Sequence, residues 1–401
     1  MSSLRKGAWG DSLPDPRAAK TFHFTQAGYD RVTGVMRLGY RFDDGPELVE
    51  RITFPDALWP EDPEARAAFQ RAMGLLHGVA GVSYYKAGLC SELRLGASAG
   101  SKALAEFLTD VYVAGLAEFG HLNDLDVSAR VHFSAATPGR DAADSTASAE
   151  FPERALVAVG GGKDSLVALE LMRQAGVDLQ PVCVGESPLI LATAEAAGLP
   201  LLQIRRELAP ELTEMNRAGA WNGHVPVTAI NSAILLCAAL LYGYRYVVFA
   251  NERSADEATL TTATGREVNH QYSKSSAFEA RFRAVIRDTI GAGIEYFSVL
   301  RPFSELGIVQ RFSRLDAYHG VFSSCNRNFH LDGPRIDGAP ELNAAVLRKL
   351  RGQEGVQSFS RIGRLDGQFE RIFKRIAGHV VDPHASPGRR MEARNRTFRE
   401  S

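Results

Sequence analysis

The chain has 401 residues with a net charge of −1, and 45% of the residues are hydrophobic while 23% are charged. This length suits two or three domains with a sizeable core, and the composition is that of an ordinary globular protein. The balanced charge argues against a wide nucleic-acid-binding surface, and four scattered cysteines without a C-x-x-C pair argue against a zinc ribbon or a disulfide framework.

The N-terminal residues 1–20 are polar, contain Pro14 and Pro16, and lack the apolar core of a signal peptide, so they predict a loose arm. The most apolar window, residues 229–241, is too short to span a bilayer. We therefore expect a cytoplasmic protein with neither a membrane nor a nucleic acid as its partner.

Residues 21–133 predict an α+β domain, with a β-hairpin over 31–54 and helices over 65–79 and 102–122. A dense polar and aromatic patch follows the first helix, and its Tyr85 and Lys86 are candidates to bind a substrate. Aromatic packing beside a solvated lysine explains the patch equally well. Residues 134–152, rich in Ala, Ser, Asp, Pro and Gly, predict a linker.

From residue 153 to 335 strand and helix patterns alternate, which predicts a doubly wound parallel sheet of the α/β class. Strands are expected over 155–159, 179–184, 200–204, 246–250 and 294–300. Ligands of such sheets bind beyond the carboxyl ends of the strands. That rule places residues 160–165, 184–186, 205–206 and 251–256 near one another. The last residues, 336–401, predict a helical region with a basic tail.

Three glycines follow the first of these strands and precede a helical pattern, in the order Gly160, Gly161, Gly162, Lys163, Asp164, Ser165. Glycines let the backbone approach a phosphate, and the first N–H groups of a helix point at it. The Walker pattern requires Ser or Thr after its lysine, whereas Asp164 follows Lys163. The dinucleotide pattern G-x-G-x-x-G requires a third glycine at a fixed spacing, and the sequence has none there.

The same stretch resembles the Ser-Gly-Gly-x-Asp-Ser loop of the PP-loop ATP pyrophosphatases, with Gly160 where that family usually has serine. The resemblance implies ATP cleavage between the α and β phosphates and a fold of the adenine nucleotide α-hydrolase type. Val184 and Gly185, at the end of the second parallel strand, are expected to border the adenine, although a plain strand end is the alternative.

Release of pyrophosphate requires positive charge and usually Mg²⁺ around the phosphates. Lys163 and Arg253 are candidates for phosphate contacts. Asp164, Glu252 and Asp256 are candidates to hold Mg²⁺, because it prefers oxygen ligands. A solvated charged turn is the alternative for the loop at 251–257.

Several blocks together resemble the MurL family, the UDP-N-acetylmuramoyl-L-alanyl-L-glutamate epimerases, over about residues 30–335. The blocks lie at residues 81–86, 115–119, 160–165, 251–257 and 324–329. The resemblance implies that ATP and Mg²⁺ are used to invert the terminal L-Glu of a peptidoglycan precursor, with release of AMP and diphosphate. It also implies action beside a glutamate-adding ligase. After Asn328, where the family resemblance implies a Trp- and Cys-containing segment, the sequence continues instead with residues 332–337 and a different helical pattern, either because this member lacks the segment or because a gap has been closed.

Adenylation of a carboxylate neutralises it and makes the neighbouring α-proton acidic enough for a side-chain base, and a second group then reprotonates the other face. Cys325, His224 and Lys274 are the candidate acid/base residues. The alternatives are that Cys325 is a structural thiol, that His224 is a capping histidine and that Lys274 lies in a solvated loop. Arg205, Arg206 and Arg301 are candidates to bind the glutamate carboxylates or the UDP diphosphate.

Three other functions fit parts of the sequence. An amide-forming PP-loop synthetase would need an ammonia source, and the chain has no glutaminase-like N-terminal cysteine. A tRNA-modifying enzyme would need a basic surface and paired cysteines. A nucleotide sensor without catalysis is disfavoured by the intact Lys163, Asp164 and Ser165.

Overall fold

The computed structural model describes residues 13–57, 59–96, 101–134, 150–258, 260–261, 267–291 and 293–323. Several predictions lie wholly or largely outside these ranges: most of the arm at 1–20, nearly all of the linker at 134–152, the candidate Cys325 with the block at 324–329, and the helical region at 336–401.

Strands and helices alternate through most of the described chain. The strands are β1 (Thr21–Asp30), β2 (Val35–Phe42), β3 (Leu48–Thr53), β4 (Glu92–Arg94), β5 (Arg154–Ala158), β6 (Asp178–Val184), β7 (Leu202–Glu207), β8 (Tyr246–Phe249), β9 (Leu260–Thr261), β10 (Glu267–Val268) and β11 (Glu295–Ser298). The α-helices are α1 (Pro63–Ala80), α2 (Val82–Tyr85), α3 (Lys102–Gly115), α4 (Ala117–Leu122), α5 (Lys163–Gln174), α6 (Pro188–Ala197), α7 (Pro210–Ala218), α8 (Val227–Tyr242), α9 (Ser276–Val285) and α10 (Glu305–Phe312). Among the described helices none is both long and apolar enough to cross a bilayer.

A nine-stranded sheet has the order β11-β8-β5-β6-β7-β3-β2-β1-β4. Its first five strands are parallel. Counted along the chain from β5, their order is 3-2-1-4-5, that of a doubly wound α/β sheet. The α/β class and the parallel sheet predicted from the sequence are confirmed, whereas the PP-loop subtype stays a prediction.

The sheet continues without a break into the N-terminal residues. Strand β3 pairs antiparallel with β7, β2 and β1 follow antiparallel, and β4 pairs parallel with β1. The larger buried core also joins residues from both sides of the predicted linker, such as Phe69 of α1 and Ile234 of α8. The two predicted domains therefore share a sheet and a core, and the boundary at 134–152 stays a prediction.

Helices cover both faces of the parallel strands, as the alternating burial of β5 shows. Leu156 packs into the core formed with α1, α8 and α9, whereas Ala155 and Val157 pack into a second core with α5 and α10. Successive side chains of a strand point to opposite faces, so a strand buried on both sides is apolar throughout.

The prediction of one continuous helix over 102–122 is wrong, because the helix is interrupted at Leu116 and forms two helices, α3 and α4. Gly115 packs against the ring of Pro226, and a Cβ there would lie 2.6 Å from the Pro226 Cγ. This close approach of a second loop accompanies the break. Strands β1, β4, β9 and β10 and helices α2 and α7 were not predicted.

Candidate active site

The polar loops meet at the carboxyl edge of the parallel strands. Strand order reverses between β5 and β8, because β6 and β7 lie on one side of β5 and β8 and β11 on the other. Ligands of doubly wound sheets bind in the crevice at such a switch point. The loop after β5 and the loop after β8 flank it, as predicted from the sequence.

The loop after β5, residues 160–165, is called the glycine loop here. Gly161 has a φ of +75°, and Gly162 precedes α5 without a side-chain cap. The Ser165 hydroxyl donates to the Gly162 carbonyl over 2.9 Å and accepts from the Gly160 N–H over 3.3 Å. The loop is therefore held by Ser165, and α5 begins without a side-chain cap, so its first N–H groups are candidates to bind an anion.

Lys163 and Asp164 form an ion pair of 2.7 Å at the start of α5, and their side chains are 17% and 36% exposed. A nucleotide phosphate would compete with Asp164 for the Lys163 ammonium, and a bound cation would compete with Lys163 for the Asp164 carboxylate. Gly160 is exposed, and a Cβ added there would meet no atom within 4 Å. The loop therefore leaves room for a ligand on its outer side.

The ends of β6 and β7 lie beside this loop. Gly185, with a φ of +97°, follows Val184 and donates its N–H to the Ile204 carbonyl over 2.8 Å. Arg205 forms an exposed pair with Glu186 over 2.8 Å. Val184, Gly185 and Arg205 are thus placed at the edge where a nucleotide or substrate would lie.

Arg206 does not join them, because it lies inside β7 and its side chain points to the opposite face from that of Arg205. Its guanidinium donates to Glu50, which is fully buried on β3, over 2.7 Å, and to the Ser83 hydroxyl over 3.1 Å. These contacts are structural, joining the parallel strands to the antiparallel ones, and they leave Arg206 little capacity for a substrate.

The loop after β8, residues 251–257, is called the acidic loop. The Asn251 amide donates to Ser298 at the end of β11 over 3.0 Å. One carboxylate oxygen of Glu252, Oε2, is buried and has no hydrogen-bond partner in the described structure. Asp256 accepts from the Ser276 N–H over 2.6 Å at the start of α9, and Arg253 is exposed.

Arg301 lies at the centre of several loops with a side chain that is 14% exposed. It donates to the Glu252 carbonyl over 2.8 Å, to the Lys274 carbonyl, and to the Glu279 carboxylate over 3.3 Å. Burial raises the pKa of Glu279, while Arg301 and hydrogen bonds from Ser298 lower it. Arg301 therefore positions the acidic loop and offers little free surface to a substrate.

The fit of these residues to Mg²⁺ rests on the buried, unpartnered Glu252 oxygen. In the described ranges no cluster of three or more His, Cys, Asp or Glu side chains forms a complete metal site. A complete cage is not required, because Mg²⁺ is commonly held by one or two carboxylates together with substrate phosphates and water. Glu252 and Asp164 suit that mode of binding, whereas Asp256 is partly occupied as a helix cap.

A second group of contacts surrounds residues 221–226, called the histidine loop, which precedes α8. Trp221 donates its N–H to the Ala87 carbonyl over 3.1 Å. A Cβ at Gly223 would lie 2.9 Å from the Phe119 ring, and Gly115 packs on Pro226. The blocks at 81–86 and 115–119 therefore flank this loop, although they are far apart in the sequence.

His224 lies in this loop with 36% of its side chain exposed. Its Nδ1 is 3.8 Å from Glu118 Oε2, and its ring centroid is 6.3 Å from that of His270. Burial lowers the pKa of His224, Glu118 raises it, and His270 and Lys274 lower it further, so the pKa lies below its usual value. The structure therefore brings His224 and Lys274 within electrostatic range of each other, while Cys325 lies outside the described residues.

Tyr85 is fully buried, packs on Phe22 and Tyr112, and donates its hydroxyl to the Cys90 carbonyl over 2.9 Å. Its contacts are those of a core residue, in line with the packing alternative. Lys86 is 5% exposed, and its ammonium donates to Asn222 Oδ1 over 2.6 Å. Lys86 is therefore a buried residue in contact with the histidine loop and not the solvated lysine of the packing alternative, while its role as a substrate-binding residue stays a prediction.

Sequence reasoning missed Glu118, Asn222 and Glu279 as members of the site. Glu118 stands in the recognised block at 115–119, and Asn222 is two residues from the candidate His224, but no pattern indicated that they contact His224 and Lys86. Glu279 is the one polar residue in the described part of α9 that is buried, a charged residue at a core position. A carboxylate among the buried positions of an amphipathic helix was the available signal.

Comparisons with known proteins cover most of the chain. A family model described as the MurL N-terminal domain matches residues 14–299. A protein of Xanthomonas oryzae pv. oryzae named UDP-N-acetyl-alpha-D-muramoyl-L-alanyl-L-glutamate epimerase is 46% identical over 321 residues, which is 80% of this chain and 70% of that protein. Proteins with the same name from a Micromonospora strain and from Salinispora tropica are 41% and 39% identical, each over 79% of this chain and 70% and 69% of their own length. With this identity and coverage, the chain belongs to the MurL family.

Proposed function

We propose that this protein inverts the terminal L-Glu of UDP-MurNAc-L-Ala-L-Glu to D-Glu in peptidoglycan precursor synthesis. The glutamate carboxylate attacks the α-phosphate of ATP to form an acyl-adenylate with release of diphosphate, and after the inversion water hydrolyses the adenylate with release of AMP. The observation that carries the proposal is the glycine loop at the switch point of a chain 46% identical to a protein named as this epimerase.

The carboxylate to be activated is the one bonded to the α-carbon. Removal of the α-proton from a free carboxylate would place further negative charge on an anion, whereas an acyl-adenylate is neutral at that carbonyl. The uncapped N-terminus of α5, the backbone of the glycine loop and Lys163 bind the β and γ phosphates in this proposal. Arg253, exposed on the acidic loop, adds positive charge, and Val184 and Gly185 border the adenine.

Glu252 and Asp164 are the residues that would hold Mg²⁺, with Asp256 a further candidate. When bound, the cation would supply positive charge to the phosphate oxygens. Arg301 fixes the Glu252 backbone by its hydrogen bond to that carbonyl. The chain thus positions one carboxylate on each side of the switch point.

Proton transfer at the α-carbon requires a base on one face and an acid on the other. His224 is the proposed base, because burial favours its neutral form. Lys274, which is exposed, and Cys325 are candidates for the acid. Arg205, whose side chain is exposed on β7 beside Glu186, is the candidate for the substrate diphosphate.

The test is incubation of the protein with UDP-MurNAc-L-Ala-L-Glu, ATP and Mg²⁺ in D₂O, with analysis of AMP, diphosphate and deuterium at the glutamate α-carbon. All three should form in the wild type and in Lys102→Met, whose side chain is 84% exposed and pairs with Glu106 of the same helix. Lys163→Met should form none of them at a comparable rate.

Other outcomes would identify another reaction. AMP without α-deuterium would favour an amide-forming adenylating enzyme, and ADP would exclude PP-loop chemistry. Nucleotide binding without turnover would indicate a sensor.

A further inference from the structure

Lys86 has an unusual environment for a charged side chain. It is 5% exposed, and within the described chain its ammonium has one polar partner, Asn222 Oδ1, at 2.6 Å. No carboxylate of the described residues lies within ion-pair distance of it. Buried charges are normally paired, so the Lys86 ammonium lacks the anionic partner that a buried charge usually has.

The chemistry of the pair leaves capacity for a ligand. An ammonium has three donors, and the contact with Asn222 uses one. The Asn222 Oδ1 atom is taken by Lys86 and by the Gly223 N–H at 3.0 Å, whereas the described structure shows no partner for its Nδ2 group. An ammonium beside an amide N–H₂ forms a set of donors that complements a carboxylate. In agreement, burial lowers the pKa of Lys86 to about 8.

The pair is held in place and can be reached from outside. The Ala87 carbonyl accepts from Trp221, which fixes the backbone next to Lys86 against the histidine loop. Asn222, Gly223 and His224 are exposed, so an anion can approach along this loop. The candidate base His224 is two residues from Asn222 on the same loop, so in the proposed function the pair lies next to the residue that removes the α-proton.

We propose that Lys86 and Asn222 bind the side-chain carboxylate of the terminal glutamate and thereby select glutamate over neutral amino acids. The inference rests on the proposed function, in which the α-carboxylate is activated and the side-chain carboxylate remains free. A single enclosed ammonium suits this small, singly charged group. A diphosphate would need the larger number of donors that the glycine loop and the exposed arginines offer.

The test compares the affinity of the protein for UDP-MurNAc-L-Ala-L-Glu with that for the L-Gln counterpart, by calorimetry without ATP. Glutamine has the same shape but no charge, so the wild type should bind the glutamate ligand about tenfold or more tightly, since hydrogen bonds between charged groups are the stronger ones. Lys86→Met should bind both ligands equally. Lys102→Met is the control and should keep the preference.

Thermal melting separates this role from a structural one. Lys86→Met removes an uncompensated charge and keeps the apolar stem, so its melting temperature should equal or exceed that of the wild type. Asn222→Asp keeps both contacts of Oδ1 and supplies a carboxylate from the protein itself. Asn222→Asp should fold normally and lose the preference for glutamate. If Lys86→Met does not fold, Asn222→Asp still tests whether the pair binds the glutamate carboxylate.

The outcomes are distinguishable. Retention of the glutamate preference in Lys86→Met or in Asn222→Asp would overturn this inference and leave the proposed function intact. A lower melting temperature of Lys86→Met together with an unchanged preference would identify a structural lysine. Failure of the wild type to bind either ligand would overturn both the inference and the proposed substrate.

Discussion

Arg301 donates a hydrogen bond from its guanidinium to the backbone carbonyl of Glu252 over 2.8 Å, which ties the loop after β11 to the acidic loop after β8. The same guanidinium contacts the Lys274 carbonyl and the Glu279 carboxylate. One arginine therefore connects the candidate metal ligand, a candidate acid and the core helix α9. The planar fork of arginine makes such divergent contacts possible, and a lysine cannot reproduce them.

Arg301→Lys should therefore lower kcat/KM for epimerisation by more than tenfold, although the charge is kept. Steady-state kinetics with ATP and Mg²⁺ measure this change, and a melting curve tests whether the fold is retained. Arg94→Lys is the control, because Arg94 forms a largely exposed pair with Glu92 on the edge strand β4. An Arg301→Lys variant with wild-type kinetics would show that these contacts do not position the site.

Arg205 and Arg206 are neighbours on β7 with opposite environments, and their variants should differ accordingly. Arg206→Met leaves the buried Glu50 carboxylate without its partner, which should cost about 3–5 kcal/mol of unfolding free energy. Arg205→Met breaks an exposed pair and should cost at most about 1 kcal/mol.

Urea denaturation measures both losses of unfolding free energy. In steady-state kinetics the larger effect should be that of Arg205→Met, as a raised KM for the substrate. A double variant, Glu50→Gln with Arg206→Met, should recover part of the lost stability. Equal stability of the two single variants would contradict the structural assignment of Arg206.

The glycine loop offers a matched pair of substitutions. Gly161 has a left-handed backbone, and a Cβ there would lie 3.1 Å from the Leu189 side chain, whereas Gly160 has neither constraint. Gly161→Ala should therefore lower the unfolding free energy by at least about 1–2 kcal/mol. Gly160→Ala should change it by no more than about 0.5 kcal/mol. Chemical denaturation of both variants makes the comparison, and equal losses would refute this account of the loop.

The parallel half of the fold was predictable because its signals are local. Apolar strands such as β5 and β8, separated by helices of ordinary length, indicate a doubly wound sheet, and the glycines at 160–162 mark the turn between a strand and a helix. The sequence did not reveal that β3 pairs with β7, because strand pairing across more than 150 residues leaves no local pattern. Arg205 and Arg206 illustrate the consequence. They are adjacent arginines on β7, but only Arg206 faces the buried Glu50 of the neighbouring strand β3, so their contacts differ.

The site was predictable where a motif carries the chemistry and unpredictable where a contact does. Lys163, Asp164 and the acidic loop follow parallel strands, as predicted from the sequence, while their roles stay predictions. The pairs Lys86 with Asn222 and Glu118 with His224 arise only when α2 and α4 pack on the histidine loop. Tyr85 shows the opposite error, since a residue type common in binding sites is a core residue here.

The unpartnered Glu252 oxygen leads to a prediction on Mg²⁺. Glu252→Gln removes a charge that has no compensation at Oε2, so the stability of the protein without metal should be equal or higher. The Mg²⁺ concentration for half-maximal AMP formation should rise by about tenfold or more, which a titration measures. Glu61→Gln, on an exposed residue before α1, is the control. An unchanged Mg²⁺ requirement in Glu252→Gln would remove Glu252 from the metal site.

The pair of Glu118 and His224 leads to a prediction on pH dependence. The Glu118 carboxylate stabilises the imidazolium of His224 and so raises its pKa, although burial keeps that pKa below the usual 6.5. In the proposed reaction the neutral imidazole removes the α-proton, so kcat/KM falls as the pH drops through the pKa of His224. Glu118→Gln removes the stabilising charge, lowers the pKa further and should move the acidic limb of the profile to lower pH. Glu106→Gln, on an exposed residue of α3, should leave the limb in place. A shift to higher pH, or none, would show that His224 is not the base whose titration limits the reaction.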